Sequence, residues 1–177
     1  GNPATCLVTD QRGVARPQGS ACDIGAFEYR GNGTTAAYIF SYSGSPQTVE
    51  VNQSFPSVLK ALVLDQYGDT VPGKTITFTA PSSGASAIFS SSGTNISTAV
   101  TDSNGIATRS EVSANGIEGA FTIVATTSGV ASSADFQITS YDTTVPKSIL
   151  IVSGANQYTQ TQTQFSLPLK AKVQNVL

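Results

Sequence analysis

Apolar and polar residues alternate along this chain with a period of two, and clusters of Gly, Asn, Asp, Pro and Ser break the alternation about every 8–12 residues. That rhythm restricts the chain to antiparallel sheets with one face buried and one face wet. In Lys74–Ala80, Ile76 and Phe78 point one way, and Thr75, Thr77 and Thr79 the other. Ala134–Thr139 sets Ala134, Phe136 and Ile138 against Asp135, Gln137 and Thr139. Phe121, Ile123 and Ala125 share a face of Gly119–Thr127. In Phe55–Asp65 the shared face is Phe55, Leu59, Ala61 and Val63, while Val58, Leu62 and Leu64 make the other face partly apolar. No sustained spacing of three and four supports a helix. Turn signals at Gln66–Asp69, Val71–Gly73 and Asp102–Gly105 separate the strands. The expected class is all-β: an immunoglobulin-like antiparallel β-sandwich of seven to nine strands between about Ala37 and Tyr141.

The chain also repeats itself. Ser43, Gly44, Gln47, Phe55, Leu59, Lys60, Ala61 and Val63 recur 110 positions on as Ser153, Gly154, Gln157, Phe165, Leu169, Lys170, Ala171 and Val173. Ser/Thr bias does not produce a shared Phe-x3-Leu-Lys-Ala-x-Val, so the repeat predicts tandem modules. The expected organisation is a distinct segment 1–36, a complete domain 37–141, a linker 142–146 and the first strands of a second sandwich at 147–177. In that second copy the apolar face Phe165, Leu167, Leu169, Ala171 and Val173 lacks a partner sheet. It is therefore a candidate interface to a neighbouring module or an identical subunit, reached by strand donation.

Composition removes several function classes. Nine Lys and Arg against eleven Asp and Glu leave a net charge of −2 and no basic footprint for nucleic acid. Histidine is absent, so imidazole bases, His-ligated metals and imidazole pH switches are excluded. No stretch approaches the ~20 apolar residues of a membrane helix. Ser and Thr number 45 of the 177 residues, which suits a wet, weakly interacting exterior. The chain begins without Met or a signal-peptide pattern, and so reads as an excerpt of something longer.

Both cysteines fall in the first segment. Bridged, Cys6 and Cys22 close a loop of about 16 residues and remove about 3 kcal/mol of unfolded-state entropy. An extracellular composition favours that bridge; the alternative is two free thiols in a cytosolic protein.

Three runs in order carry one family resemblance: Asp65-Gln66-Tyr67-Gly68-Asp69-Thr70-Val71-Pro72-Gly73 with Lys74-Thr75-Ile76-Thr77-Phe78, then Thr101-Asp102-Ser103-Asn104-Gly105-Ile106-Ala107, then Gly119 to Ala125 and Ala134-Asp135-Phe136. By these, residues 36–141 resemble bacterial immunoglobulin-like domains of the invasin/intimin type, and 147–177 look like the opening of another copy. In that copy Pro168 replaces Val58 and Asn175 replaces Asp65. A second set is Thr9-Asp10-Gln11-Arg12-Gly13, Arg16-Pro17 and Cys22-Asp23-Ile24-Gly25-Ala26-Phe27-Glu28. Through it, residues 4–29 resemble the closing segment of secreted bacterial right-handed parallel β-helix proteins. Together the resemblances imply a large secreted or surface-anchored bacterial protein, with a β-helix preceding a string of sandwich modules.

Chemistry-bearing patterns are sparse. Asp102-x-Asn104-Gly105 is part of a calcium-loop pattern, but Glu111 misses the position of its bidentate carboxylate. A weak calcium site from Asp65, Asp69 and Asp102 is conceivable and not favoured over turns. Asp10, Asp23 and Glu28 offer carboxylates of the kind used in glycoside hydrolysis. Arg12 and Arg16 among them favour ion pairs that hold an irregular loop. No Gly-x-Ser-x-Gly or phosphate-binding loop is present. Asn32, Asn52 and Asn95 begin N-glycosylation patterns that carry little weight in a Ser/Thr-rich chain of the bacterial origin that the resemblances imply. Tyr38, Tyr42, Tyr67, Tyr141 and Tyr158 are candidates for sugar stacking, with packing the competing role. No catalytic residue, cofactor or metal is expected. The expected function is a structural spacer or display module. The alternatives are a module binding carbohydrate or a host protein, and an accessory domain of a polysaccharide-degrading β-helix enzyme.

Overall fold

A computed structural model describes residues 6–17, Cys22, Ala26, Glu28 and 34–175. The described residues hold twelve strands and no helix. These are β1 (Tyr38–Ser43), β2 (Gln47–Glu50), β3 (Leu59–Leu64), β4 (Thr75–Thr79), β5 (Ala87–Phe89) and β6 (Ile96–Val100), followed by β7 (Ile106–Arg109), β8 (Val112–Ala114), β9 (Gly119–Thr127), β10 (Ala134–Tyr141), β11 (Ser148–Ser153) and β12 (Lys170–Gln174). They fall into two compact units, 1–140 and 141–177. The all-β class expected from the alternation is the class observed.

In the first unit β1-β3-β7 form one sheet and β2-β10-β9-β4-β6 the other, with a short β5-β8 ladder beside them. The β1-β3, β3-β7, β10-β9, β9-β4, β4-β6 and β5-β8 pairings are antiparallel. Each inner face is the apolar half of a period-two strand. Leu59, Ala61 and Val63 of β3 meet Ile76 and Phe78 of β4, Phe121, Ile123 and Ala125 of β9, and Phe136 and Ile138 of β10 in one buried cluster. The Phe78 and Phe136 rings lie 5.9 Å apart at 44°, a tilted aromatic contact at its centre. The alternation predicts each of these facings correctly. Two details differ. The strand expected from Phe55 begins only at Leu59: Phe55 N–H donates instead to the Val112 carbonyl, and Pro56, which has no N–H to give, starts a bend. The first unit has ten strands rather than seven to nine, since the three-residue strands β5 and β8 are too short to show a period.

The second unit pairs β11 with β12. Tyr38↔Leu64, Ile39↔Val63, Phe40↔Leu62, Ser41↔Ala61 and Ser43↔Lys60 become Ser148↔Gln174, Ile149↔Val173, Leu150↔Lys172, Ile151↔Ala171 and Ser153↔Lys170. Every pair is displaced by 110, and the bulge falls at the same place. A repeated Gly and a repeated Gln explain how. Gly44 (φ +91°) and Gly154 (φ +85°) press against the facing strand. A Cβ there would lie 2.5 Å from the Val58 carbonyl oxygen or 2.8 Å from that of Pro168. The side chain of Gln47 donates to the carbonyls of Gly44 and Ser57 at 2.7 and 3.0 Å and accepts from Ser57 N–H at 3.1 Å. Gln157 does the same with Gly154, Leu167 and Leu167 N–H at 2.9, 2.8 and 2.7 Å.

The ring contact supplies the first prediction. Phe136→Ala removes a fully buried ring and leaves a cavity at the sheet interface. Urea unfolding is expected to show the first unit destabilised by about 3–5 kcal/mol with an unchanged m-value.

Candidate functional site

Two features of the described residues go beyond what a folded sandwich needs: a buried ionic junction in the first unit and an uncovered apolar face in the second.

The junction is built on Asp10. Residues 8–16 fold back on themselves, with Arg16 N–H donating to the Val8 carbonyl at 3.0 Å and a bridge between Thr9 and Ala15. Asp10 sits inside this loop with a buried side chain. Its Oδ1 accepts from the N–H groups of Arg12 and Val14 at 2.8 and 2.9 Å, and its Oδ2 from Glu28 N–H at 2.9 Å. Arg12 Nε donates to the same Oδ2 at 3.1 Å. The guanidinium then spans outward. Nη2 donates to the Glu28 carbonyl at 2.8 Å, while Nη1 reaches the Tyr67 carbonyl and Asp69 Oδ1, both at 3.2 Å. Arg16 and Glu28 form a second pair at 3.7 Å, both largely buried. Burial alone raises the Asp10 pKa, but the N–H groups of Glu28, Val14 and Arg12 and the guanidinium outweigh it. They hold this carboxyl well below the usual carboxylate range. Burial works against the Arg12 charge, and Asp10 and Asp69 more than restore it. Cys22 is buried and joined to Cys6 by a disulfide, with the two Cα atoms 6.4 Å apart.

Other expected sites dissolve into local structure. Asp102 Oδ1 accepts from the N–H groups of Asn104 and Ile106 at 2.8 and 3.0 Å. Asp65 Oδ1 accepts from Tyr67 and Asp69 N–H at 2.8 and 2.9 Å. Both are turn-forming aspartates. Among the described residues no group of three His, Cys, Asp or Glu side chains is arranged to hold a metal. Asn95 spends its amide on the Ala80 carbonyl at 2.8 Å. Asp23, the Asn32 pattern and much of the 4–29 motif lie outside the described residues. Of the tyrosines, Tyr67 and Tyr141 are half-buried and Tyr158 is fully exposed. Tyr38 and Tyr42 flank Phe40 on the exposed side of β1, with the Tyr38 and Phe40 rings 6.3 Å apart. Phe40 was not among the expected stacking residues, although its place two positions from each tyrosine marks the shared face.

In the second unit the repeated strand pair carries its apolar face bare. Ile39, Leu59 and Val63 are 3%, 0% and 0% exposed, whereas Ile149, Leu169 and Val173 are 71%, 75% and 55% exposed. Phe165, Leu167 and Ala171 are exposed as well. Lys170 and Lys172 alternate with them and project from the opposite face.

No family model matches the chain, and no curated protein matches it. Among solved structures it is similar to domains 4 and 5 of the S-layer protein SbsC, at 21% identity and a TM-score of 0.40, over 61% of this chain and 53% of that one. SbsC domains 5–6 give 18% identity and a TM-score of 0.41, over 73% and 58%. SbsC domains 4–9 give 18% and 0.42, over 80% and 20%. The chain thus spans about half the length of the two-domain structures it matches. Likeness at this level leaves function to be argued from the chain's own geometry.

The depressed Asp10 carboxyl sets a pH window. Its contribution to stability is complete above the unfolded-state value near ~3.9 and falls as pH drops toward the folded value. In Asp10→Asn, acid titration followed by circular dichroism is expected to lose less stability between about pH 4 and pH 2 than the parent does.

Proposed function

We propose that this chain is a non-enzymatic structural module, without cofactor, that spaces and displays other parts of a large secreted or surface-attached bacterial protein, such as an adhesin stalk or extracellular fibre. The carrying observation is the 110-residue displacement that maps β1–β3 onto β11–β12 pair by pair, bulge, Gly and Gln clamp included. A unit repeated at that fidelity suits a chain of modules in series, where each copy offers length and stiffness and no copy needs a pocket. Low charge and abundant Ser and Thr fit an exterior that contacts water rather than a specific partner. In this reading residues 36–141 are an invasin/intimin-type immunoglobulin-like domain. Residues 4–29 close a β-helix, and 147–177 open a second immunoglobulin-like sandwich. The uncovered face of Phe165, Leu167, Leu169, Ala171 and Val173 is completed by strands from a neighbouring module or an identical subunit.

A second reading rests on the exposed Tyr38-Phe40-Tyr42 stripe of β1: a surface for a glycan or a host protein, serving adhesion or accessory binding in a polysaccharide-degrading enzyme.

Light scattering coupled to size exclusion tests assembly through the second unit. Concentration-dependent oligomers that Leu169→Lys or Val173→Lys abolishes are expected if identical subunits cover the face. A monomer at every concentration, with the β11–β12 amides protected, removes that route. Absence of signal on a glycan array is expected for the spacer. Binding lost in Phe40→Ala and Tyr42→Ala transfers the assignment to the second reading.

A further inference from the structure

We infer that the open edge of β1 is an interface between copies of this chain: a second copy adds its own β1 there, antiparallel, and joins two three-stranded sheets into one of six. Four strands end the two large sheets of the first unit, β1 and β7 in one, β2 and β6 in the other. Three of them are blunted. On β6 the Ile96 carbonyl accepts from the Ser92 and Thr94 hydroxyls at 2.7 and 3.0 Å, and the Thr98 carbonyl from Arg109 Nη1 at 2.8 Å. On β7 the N–H and carbonyl of Ile106 are both spent on Asp102, each at 3.0 Å. β2 has only four residues and ends in Glu50. Capping, charge and brevity are the means by which a sheet edge refuses a further strand.

β1 has none of these. Its six residues, Tyr-Ile-Phe-Ser-Tyr-Ser, carry no charge and no proline. Val63 N–H donates to the Gly105 carbonyl at 2.8 Å and its carbonyl accepts from Val71 N–H at 3.1 Å, so neither group is directed at its strand partner Ile39. By the alternation of an antiparallel ladder, Ile39 and Ser41 then aim their N–H and carbonyl groups away from β3, toward the open side. The bulge comes after Ser41 and leaves Tyr38–Ser41 in regular register. The strand is also complementary to itself. A two-fold axis through Phe40 pairs Ile39 of each copy with Ser41 of the other and forms four main-chain hydrogen bonds. Phe40 then faces Phe40 where antiparallel side chains come closest, with Tyr38 facing Tyr42 on either side. With no charge in the strand, no like charges meet. The hairpin does not demand these rings: 110 positions on, β11 pairs in the same register with Ser148, Leu150 and Val152 in their places. Tyr38, Phe40 and Tyr42 are 49%, 49% and 58% exposed, so two copies bring roughly 600 Å² of aromatic surface together. That is about half of what stable complexes bury, so the pairing is weak for one module and gains strength where modules repeat along two chains. The inference goes beyond the spacer role by giving the spacer a lateral contact, and it does not involve β12.

Oxidative cross-linking of the whole chain tests it, in a Leu169→Lys background that removes assembly through the second unit. Phe40→Cys is expected to form a disulfide-linked dimer about tenfold faster than Tyr38→Cys or Ile88→Cys, at positions of similar exposure. Only position 40 meets itself across the axis, with Cα atoms about 4.5 Å apart. Without an added cysteine, light scattering at about 1 mM is expected to show a dimer that Phe40→Lys abolishes, with the urea midpoint of the first unit little changed. Cross-linking at position 40 no faster than at 88, a monomer at about 1 mM, or a dimer that survives Phe40→Lys overturns the pairing.

Discussion

The first unit depends on one buried apolar layer, in which the inner face of β3 and the ring pair of Phe78 and Phe136 belong to a single cluster. Leu59, Ala61 and Val63 are fully buried there, and each belongs to a strand whose alternate residues are only half-buried. At about 25 cal/mol per Å² of apolar surface, a few such side chains outweigh any surface ion pair in the molecule. The two sheets need this layer to exist as sheets. β1 alone buries only Ile39, and β5 and β8 are three-residue fragments that a core must hold in place.

The second unit separates local from long-range determinants of that architecture. The same Leu-Lys-Ala-x-Val strand, Gly and Gln clamp give the same hairpin in the same register, with its inner face in water. Register is therefore set by contacts within the strand pair: the close approach at Gly154 and the three hydrogen bonds of Gln157. Lys170 and Lys172 on the outward side keep the alternation amphipathic and oppose slippage by one residue, which would turn them inward.

What was legible in the sequence follows the same division. Period-two facings and the repeat were readable because each strand carries its own pattern, and the facings match the buried cluster. The Gln47 and Gln157 clamps were visible only as an identity across the repeat. Their role needed the loop geometry, since a glutamine that binds backbone carries no motif. Arg12 was recognisable as an ion-pairing residue for Asp10, Asp23 or Glu28, and it pairs with Asp10. Its reach to Tyr67 and Asp69 was not recognisable, because nothing in a sequence reports which distant turn will face a guanidinium. The short β5–β8 ladder escaped for the opposite reason, having too few residues to express a period.

The span of Arg12 also orders events during synthesis. Arg12 leaves the ribosome before its anchors, since the carbonyl and carboxylate that hold its guanidinium lie 55 and 57 residues later in the chain. The loop around Asp10 therefore cannot dock on that turn until β3 and the turn after it have emerged. The hydrogen bonds from Asp10 to Arg12 and Val14 N–H, by contrast, join groups at most four residues apart and need no later part of the chain.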